Sequence, residues 1–219
     1  MADPRSLDGA VVAVVGVHGG LGRPIATELE NHNARVLGVA RSNADVVADL
    51  RDSRAGTAIV EAATATHGCL DGVVNAAGIV GFGNVADTDD VVIEELFLTN
   101  ALGPLWLAKA VLPALADTRG FFVNISGVIA DQPMPGMAAY GASKAAAASA
   151  LTALRREVRR DRVDVIDARP PHTETGLATR PLAGTAPSLP VGAEPQDVAQ
   201  RIVRAIVDRE STVTADMFT

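Results

Sequence analysis

The sequence predicts a doubly wound α/β fold, a parallel sheet covered by helices on both faces. Three observations lead there. Short apolar, β-branched runs alternate with longer helical runs along nearly all of the 219 residues. The strand runs are almost continuously apolar rather than alternating, as expected for strands buried on both faces. The first strand run ends in a cluster of glycines that opens a helix. Such alternation makes right-handed crossovers the default, and the resulting sheet places ligands at the carboxyl ends of its strands.

Taken in order, residues 10–15 form the first strand and 20–31 the first helix, with Ile25, Ala26 and Leu29 on one face. Residues 35–40 are the second strand and 44–48 a weaker third. A helix is expected over 54–66 and a fourth strand over 70–75. Residues 91–116 hold helical material in two segments meeting near Thr99. The fifth strand is 120–126, followed by a long alanine-rich helix over 138–160 and a sixth strand over 163–168. A last helix, 195–208, and a short strand, 212–215, complete a parallel sheet of seven strands.

The stretch 170–195 breaks the pattern, with Pro170, Pro171, Pro181, Pro187, Pro190 and Pro195 spaced among three glycines. A loop this long inside a compact domain is usually functional or mobile. Residues 172–195 are read as a substrate lid on one domain spanning 1–219.

Composition removes several function classes. A net charge of −7 disfavours a general nucleic-acid surface, which needs a basic field. The single cysteine, Cys69, excludes an intrachain disulfide framework and has no second cysteine near it for a metal site. The polar stretch 1–8 has no signal-peptide core, and no run of about 18 apolar residues appears. The expectation is a soluble, cytoplasmic protein that acts on a small molecule.

The glycine cluster reads Gly16-Val17-His18-Gly19-Gly20-Leu21-Gly22. Gly16 permits a tight turn, while Gly20 and Gly22 allow close approach of backbone to a ligand. The helix that follows offers free N–H groups and a positive dipole end to a pyrophosphate. Strand, glycine loop and helix together predict a Rossmann-type three-layer sandwich that binds a nicotinamide dinucleotide.

The spacing Gly-x-x-x-Gly-x-Gly resembles the loop of the short-chain dehydrogenase/reductase family. Three further segments carry the resemblance: Asn75-Ala76-Ala77-Gly78 after the fourth strand, Tyr140-Gly141-Ala142-Ser143-Lys144, and Asn100 within the helical region. The resemblance spans about residues 7–215. It implies cofactor contacts from Gly16, His18, Gly20, Leu21 and Gly22, then from Asp49 and Leu50 on the adenine. Asn75, Ala76 and Gly78 line the same groove. Pro170, Thr173 and Thr175 resemble the family's Pro-Gly-x-x-x-Thr segment, which holds the nicotinamide carboxamide, although Pro171 stands where the family has glycine. Val15 likewise replaces the usual threonine before Gly16.

Charge separates the two forms of the cofactor. An acidic residue at the end of the second strand would repel a 2′-phosphate. Here Ala40 occupies that place and Arg41 follows, able to pair with the phosphate. NADP(H) is favoured and NAD(H) is the alternative. Gly19 stands where NADP-binding relatives often carry a second basic residue.

Tyr140 and Lys144 lie one helical turn apart and point the same way. A nearby ammonium stabilises a phenolate, which lets a tyrosine pass protons during carbonyl–alcohol interconversion. By resemblance Tyr140 is the acid/base, Lys144 tunes it and binds the nicotinamide ribose, and Asn100 holds a proton-relay water. The family also places a serine thirteen residues before the tyrosine to bond the substrate carbonyl. That position is Gly127, with Ser126 one residue earlier. Ser126 could reach the substrate through a bulge, Gln132 or a lid residue could supply the donor, or the site could be impaired.

Met134, Met137, Val80 and Phe82 are candidates for an apolar substrate pocket, and His172 is the one histidine near it. The function expected is NADP(H)-dependent oxidation or reduction of a small, largely apolar molecule. The alternative, kept open by Gly127, is a cofactor-bound protein with a non-redox role: an isomerase, dehydratase or cyclase step, or a regulatory or scaffold module. The alanine faces of 99–116 and 138–160 suggest a homodimer or homotetramer.

Overall fold

A computed structural model describes residues 3–218. Its strands are β1 (Val11–Val15), β2 (Arg35–Ala40), β3 (Val46–Val47), β4 (Gly72–Asn75), β5 (Phe121–Ile125), β6 (Asp164–Ala168) and β7 (Thr212–Val213). They form one seven-stranded sheet in the order β3-β2-β1-β4-β5-β6-β7, with every neighbouring pair parallel. The sheet is the Rossmann-type doubly wound arrangement that the sequence predicts. The chain reverses direction across the sheet between β1 and β4, so the crevice for a ligand opens above those two strands.

The helices are α1 (Gly22–Asn31), α2 (Ala55–His67), α3 (Asp90–Phe97), α4 (Gly103–Thr118), α5 (Ala138–Glu157) and α6 (Pro195–Val207). Alternation along the strands divides the core into two apolar layers. On one face Val12, Val14, Phe121, Val123 and Ile166 pack with Ile25 and Leu29 of α1 and Ile202 and Ile206 of α6. On the other, Ala13, Val73, Phe122 and Val165 pack with Ile59 of α2, Leu107 and Val111 of α4 and Leu151 of α5. Phe121 and Phe122, adjacent in sequence, anchor opposite layers and are both fully buried. Burying a side chain of that size contributes roughly 1.5–3 kcal/mol relative to leaving it exposed.

Several boundaries move for local reasons. The third strand shrinks to two residues because Asn43 takes a left-handed φ of 51° and the Asp45 carboxylate turns back to accept the Gly38 N–H at 2.7 Å. The first helix starts at Gly22, leaving Gly20 and Leu21 in the turn before it. The fifth strand stops at Ile125, so Ser126 lies beyond it. The two helical segments expected to meet near Thr99 do so through a π-helical turn, Leu98–Leu102. By length and composition the helical run Asp90–Thr118 could cross a membrane; it continues through that turn and buries Leu107, Val111 and Leu115 in the core.

Candidate active site

The glycine loop is shaped by close approach. Gly16 leaves β1 with φ 81°, and a Cβ there would lie 2.9 Å from the Ala77 backbone nitrogen in the loop after β4. The loops after β1 and β4 therefore touch at the reversal point. A Cβ on Gly22 would lie 2.0 Å from the Gly16 carbonyl oxygen, and one on Gly20 would lie 2.3 Å from the Thr175 carbonyl oxygen. Among the described residues no side chain caps α1, whose preceding residue is Leu21, so its first-turn N–H groups and dipole face the crevice. This cradle fits a pyrophosphate.

At the adenosine end, the exposed His18 donates from Nε2 to the Asn43 carbonyl at 2.8 Å, tying the glycine loop to the loop after β2. Arg41 begins that loop and is exposed. Asp49 receives the Arg51 guanidinium at 2.7 Å, and Arg51 also reaches Glu95 at 3.0 Å. Arg51 first, then Arg41 more weakly, hold the Asp49 carboxyl below the usual carboxylate range. The Asp49 carboxylate is thus shared with Arg51, while Leu50 beside it is buried in the core.

Asn75 acts as an internal strut. Its Nδ2 donates to Asn124 Oδ1 at 2.7 Å, and its Oδ1 accepts the Ala77 N–H at 3.2 Å. The Ala76 N–H extends the β1 ladder by bonding the Val15 carbonyl at 2.9 Å. Gly78 leaves room for what stands above it: a Cβ there would lie 3.2 Å from both Asn100 Oδ1 and Lys144 Nζ.

Tyr140, Lys144 and Asn100 come together at this end of the sheet. The Asn100 side chain clasps the Ile79 backbone, accepting its N–H at 3.0 Å and donating to its carbonyl at 2.9 Å. It also donates to Ser143 Oγ at 3.1 Å, and Ser143 donates to the Tyr140 backbone carbonyl at 2.7 Å. Ser143 is fully buried and was not among the sequence candidates, although it lies three residues after Tyr140 on the same helical face. Lys144 Nζ donates to the Ile125 carbonyl at 2.8 Å. Burial pushes the Tyr140 phenol up to about 12. Burial pushes the Lys144 ammonium down to about 8, with the Asp167 carboxylate pulling the other way. Among the described residues the Tyr140 hydroxyl has no hydrogen-bond partner.

Ser126 is not brought to this cleft. It is fully buried, and its Oγ accepts from Asn124 Nδ2 at 3.4 Å, which extends the strut from Asn75. A local widening of the ladder does occur, since the N–H groups of Ser126 and Gly127 both reach the Ala168 carbonyl, at 2.9 and 3.2 Å. Its effect falls on Gly127, which adopts φ 79° and ψ 160°. That region is almost restricted to glycine. A Cβ on Gly127 would meet nothing within 4 Å among the described residues.

The lid is docked. Val80 accepts the Leu182 N–H at 2.8 Å, and the Phe82 N–H bonds the Ala183 carbonyl at 2.9 Å. Leu177, Ala178, Ala183 and Ala186 pack with Val80, Phe82, Met137 and Tyr140, so three of the four predicted pocket residues share a cluster with the phenol. Met134 is the exception and is exposed. Pro170 accepts the Val128 N–H at 2.9 Å, Thr173 pairs with Ala193, and Thr175 lies against Gly20. His172 approaches Glu174 at 3.5 Å on the wall of a cavity of about 260 Å³ formed within the segment 172–195. Gln132 is exposed.

Comparison with known proteins agrees with this geometry. The family model for short chain dehydrogenases matches residues 10–183. The dehydrogenase/reductase SDR family protein 7-like of Anopheles gambiae is 30% identical over 239 aligned positions, covering 95% of this chain and 75% of its own. A short chain dehydrogenase from Burkholderia cenocepacia, solved with NADP, superposes with a TM-score of 0.82 at 23% identity, covering 96% of this chain and 90% of its own. The 3-ketoacyl-(acyl-carrier-protein) reductase of Brucella melitensis, solved with NADH, gives 0.85 at 22% identity, covering 98% and 100%. Glycine cradle, Tyr140–Lys144 pair and family match converge: this chain belongs to the short-chain dehydrogenase/reductase family of oxidoreductases.

Proposed function

We propose that the protein interconverts a carbonyl and an alcohol on a small, largely apolar molecule, using NADP(H). The observation that carries this is the Tyr140 hydroxyl, unpartnered among the described residues and set in an apolar cluster beside Lys144. When bound, the nicotinamide supplies or takes the hydride. The backbone of Gly16, Gly20 and Gly22 and the start of α1 would hold the pyrophosphate, and Thr173 and Thr175 the carboxamide end. Tyr140 gives its proton to the substrate oxygen during reduction. A phenol held high by burial can still do so, because the forming alkoxide is the stronger base. In the reverse direction the Lys144 ammonium favours the phenolate. Val80, Phe82 and Met137 exclude water and favour an apolar substrate.

The relatives divide on the form of the cofactor, one solved with NADP and another with NADH. Arg41, exposed and not ion-paired among the described residues, supports NADP(H) here. In calorimetry NADPH is expected to bind at least about tenfold more tightly than NADH, and Arg41→Ala to narrow that gap; equal affinities in the parent protein would remove the assignment. A panel of ketones, aldehydes and alcohols followed by NADPH absorbance tests the reaction itself. The backbone at Gly127 favours a second reading, in which a bound cofactor and Tyr140 serve an isomerase, dehydratase or cyclase step, or the protein is a regulatory module. Consumption or production of NADPH by any panel member decides for the first. The exposed Leu102 and Leu105 on and beside α4 fit a homodimer or homotetramer; light scattering after gel filtration is expected to give a mass at least twice that of the chain.

A further inference from the structure

Asp167 on β6 is a buried carboxylate that the proposed reaction does not use, with 1% of its surface exposed. Strand alternation puts it on the same face as Val165, which packs with Leu151, so the carboxylate lies beneath α5. Its register partner on β5 is Asn124, and the next β5 residue, Ile125, carries the carbonyl that receives Lys144 Nζ. Asp167 Oδ2 accepts from Arg169 Nε at 2.7 Å and lies 2.6 Å from its Nη2. Arg169 also pairs with Asp131 in the loop leading to α5. Asp167 Oδ1 is buried and, among the described residues, has no hydrogen-bond partner.

A buried carboxylate oxygen without a hydrogen bond is costly unless a charge nearby offsets it. Lys144 has the complementary problem. It is buried, and among the described residues its ammonium bonds only the neutral Ile125 carbonyl and forms no salt bridge. Of the charged side chains around them, Arg169 is tied to Oδ2 and Asp131. Arg155 of α5 donates from Nε to the Val165 carbonyl at 3.0 Å. Tyr140 is the other titratable group beside Lys144, and Asn100 and Ser143 are neutral.

We propose that Asp167, through its unpartnered oxygen, is the counter-charge of Lys144 and so a positioning residue that keeps the ammonium charged inside the closed protein. Asp167 acts on the Lys144 charge in this sense, opposing the effect of burial. The consequence for turnover rests on the proposed function, since a neutral amine would give no help to a Tyr140 phenolate. The charge state itself is measurable without substrate or cofactor.

The sequence supplies a clean probe, because it contains two lysines, Lys109 and Lys144. Lys109 is exposed on α4 and serves as an internal reference. Protein grown with lysine labelled with carbon-13 at Cε gives one NMR resonance for each, and a pH titration reads Lys144 directly. The parent protein is expected to titrate at Lys144 near pH 8. Asp167→Asn is expected to lower that midpoint by about one unit, a tenfold change in the ratio of charged to neutral amine. Asp167→Glu keeps the charge and is expected to keep the midpoint. Asp131→Asn loosens the outer tie of Arg169 and leaves the midpoint in place. If Asp167→Asn does not fold, combining it with Arg169→Gln removes the stranded guanidinium, and the same fall is expected. An unchanged midpoint in the folded Asp167 variant overturns the proposal, as does an equal fall in Asp131→Asn, which would trace to loosened packing. Calorimetry of NADPH with the parent protein is run alongside; failure to bind would remove the proposed function while leaving the Lys144 result to stand.

Discussion

Tyr140→Phe is expected to lower turnover of any carbonyl or alcohol substrate by roughly 10²–10⁴-fold, the range for losing a positioned acid/base group. Dinucleotide affinity is expected to stay within about twofold. The two readouts separate because the phenol and the cradle are different parts of the site. Tyr140 packs in the apolar cluster of Val80, Phe82 and Met137, while the proposed pyrophosphate cradle is built from Gly16, Gly20, Gly22 and α1. Phenylalanine keeps the ring and so keeps the packing. The hydroxyl it removes has no partner among the described residues, so no internal hydrogen bond is broken. The melting temperature should therefore change little. Steady-state rates and calorimetry on the same preparation check both halves; retained turnover would show that another group moves the proton.

Gly127→Ser gives the second large effect, and it has two opposing parts. The open space ahead of Gly127 would admit a hydroxyl where the family has its carbonyl donor. A donor of that kind is worth roughly 10²–10³ in rate. The backbone, however, sits at φ 79° and ψ 160°, where a side chain costs about 1–3 kcal/mol. For a chain of this length that lowers the melting temperature by about 2–4 °C per kcal/mol. Gly127→Ala carries the strain without the hydroxyl. Both variants are expected to melt earlier than the parent, by similar amounts. The serine variant is expected to reduce ketones with kcat/KM at least about tenfold above the alanine variant, in keeping with the donor effect. Equal rates in the two would place carbonyl polarisation elsewhere. The glycine is therefore more than a missing serine: the present backbone path is one that a serine does not readily adopt.

This contrast shows what was legible in the sequence. The seven strands could be read because Val, Ile and Ala runs buried on both faces leave a compositional trace. The Tyr140–Lys144 pairing could be read because a helix fixes the direction of residues four apart. The glycine loop could be read because its spacing is itself the structural requirement. Ser126 could not be placed, because its direction depends on where β5 ends and how the ladder to Ala168 widens. The third strand was overextended because the Asp45–Gly38 bond is a tertiary contact with no local signature. Asp167 was missed for a similar reason. A carboxylate in an apolar strand run was visible, but its partners Arg169, Asp131 and Lys144 come from other segments of the chain.

The segment 172–195 is docked on both sides of the crevice. Its backbone is bonded to Val80 and Phe82 on the substrate side, while Thr175 sits against Gly20 on the cofactor side. One element thus latches both halves of the crevice. Under the proposed function, exchange of either ligand would require this segment to undock, and the order of entry and departure would follow from it. Undocking would break the same few main-chain bonds for every substrate. The residence time of product, more than the chemistry of any one carbonyl, would then set a common ceiling on turnover.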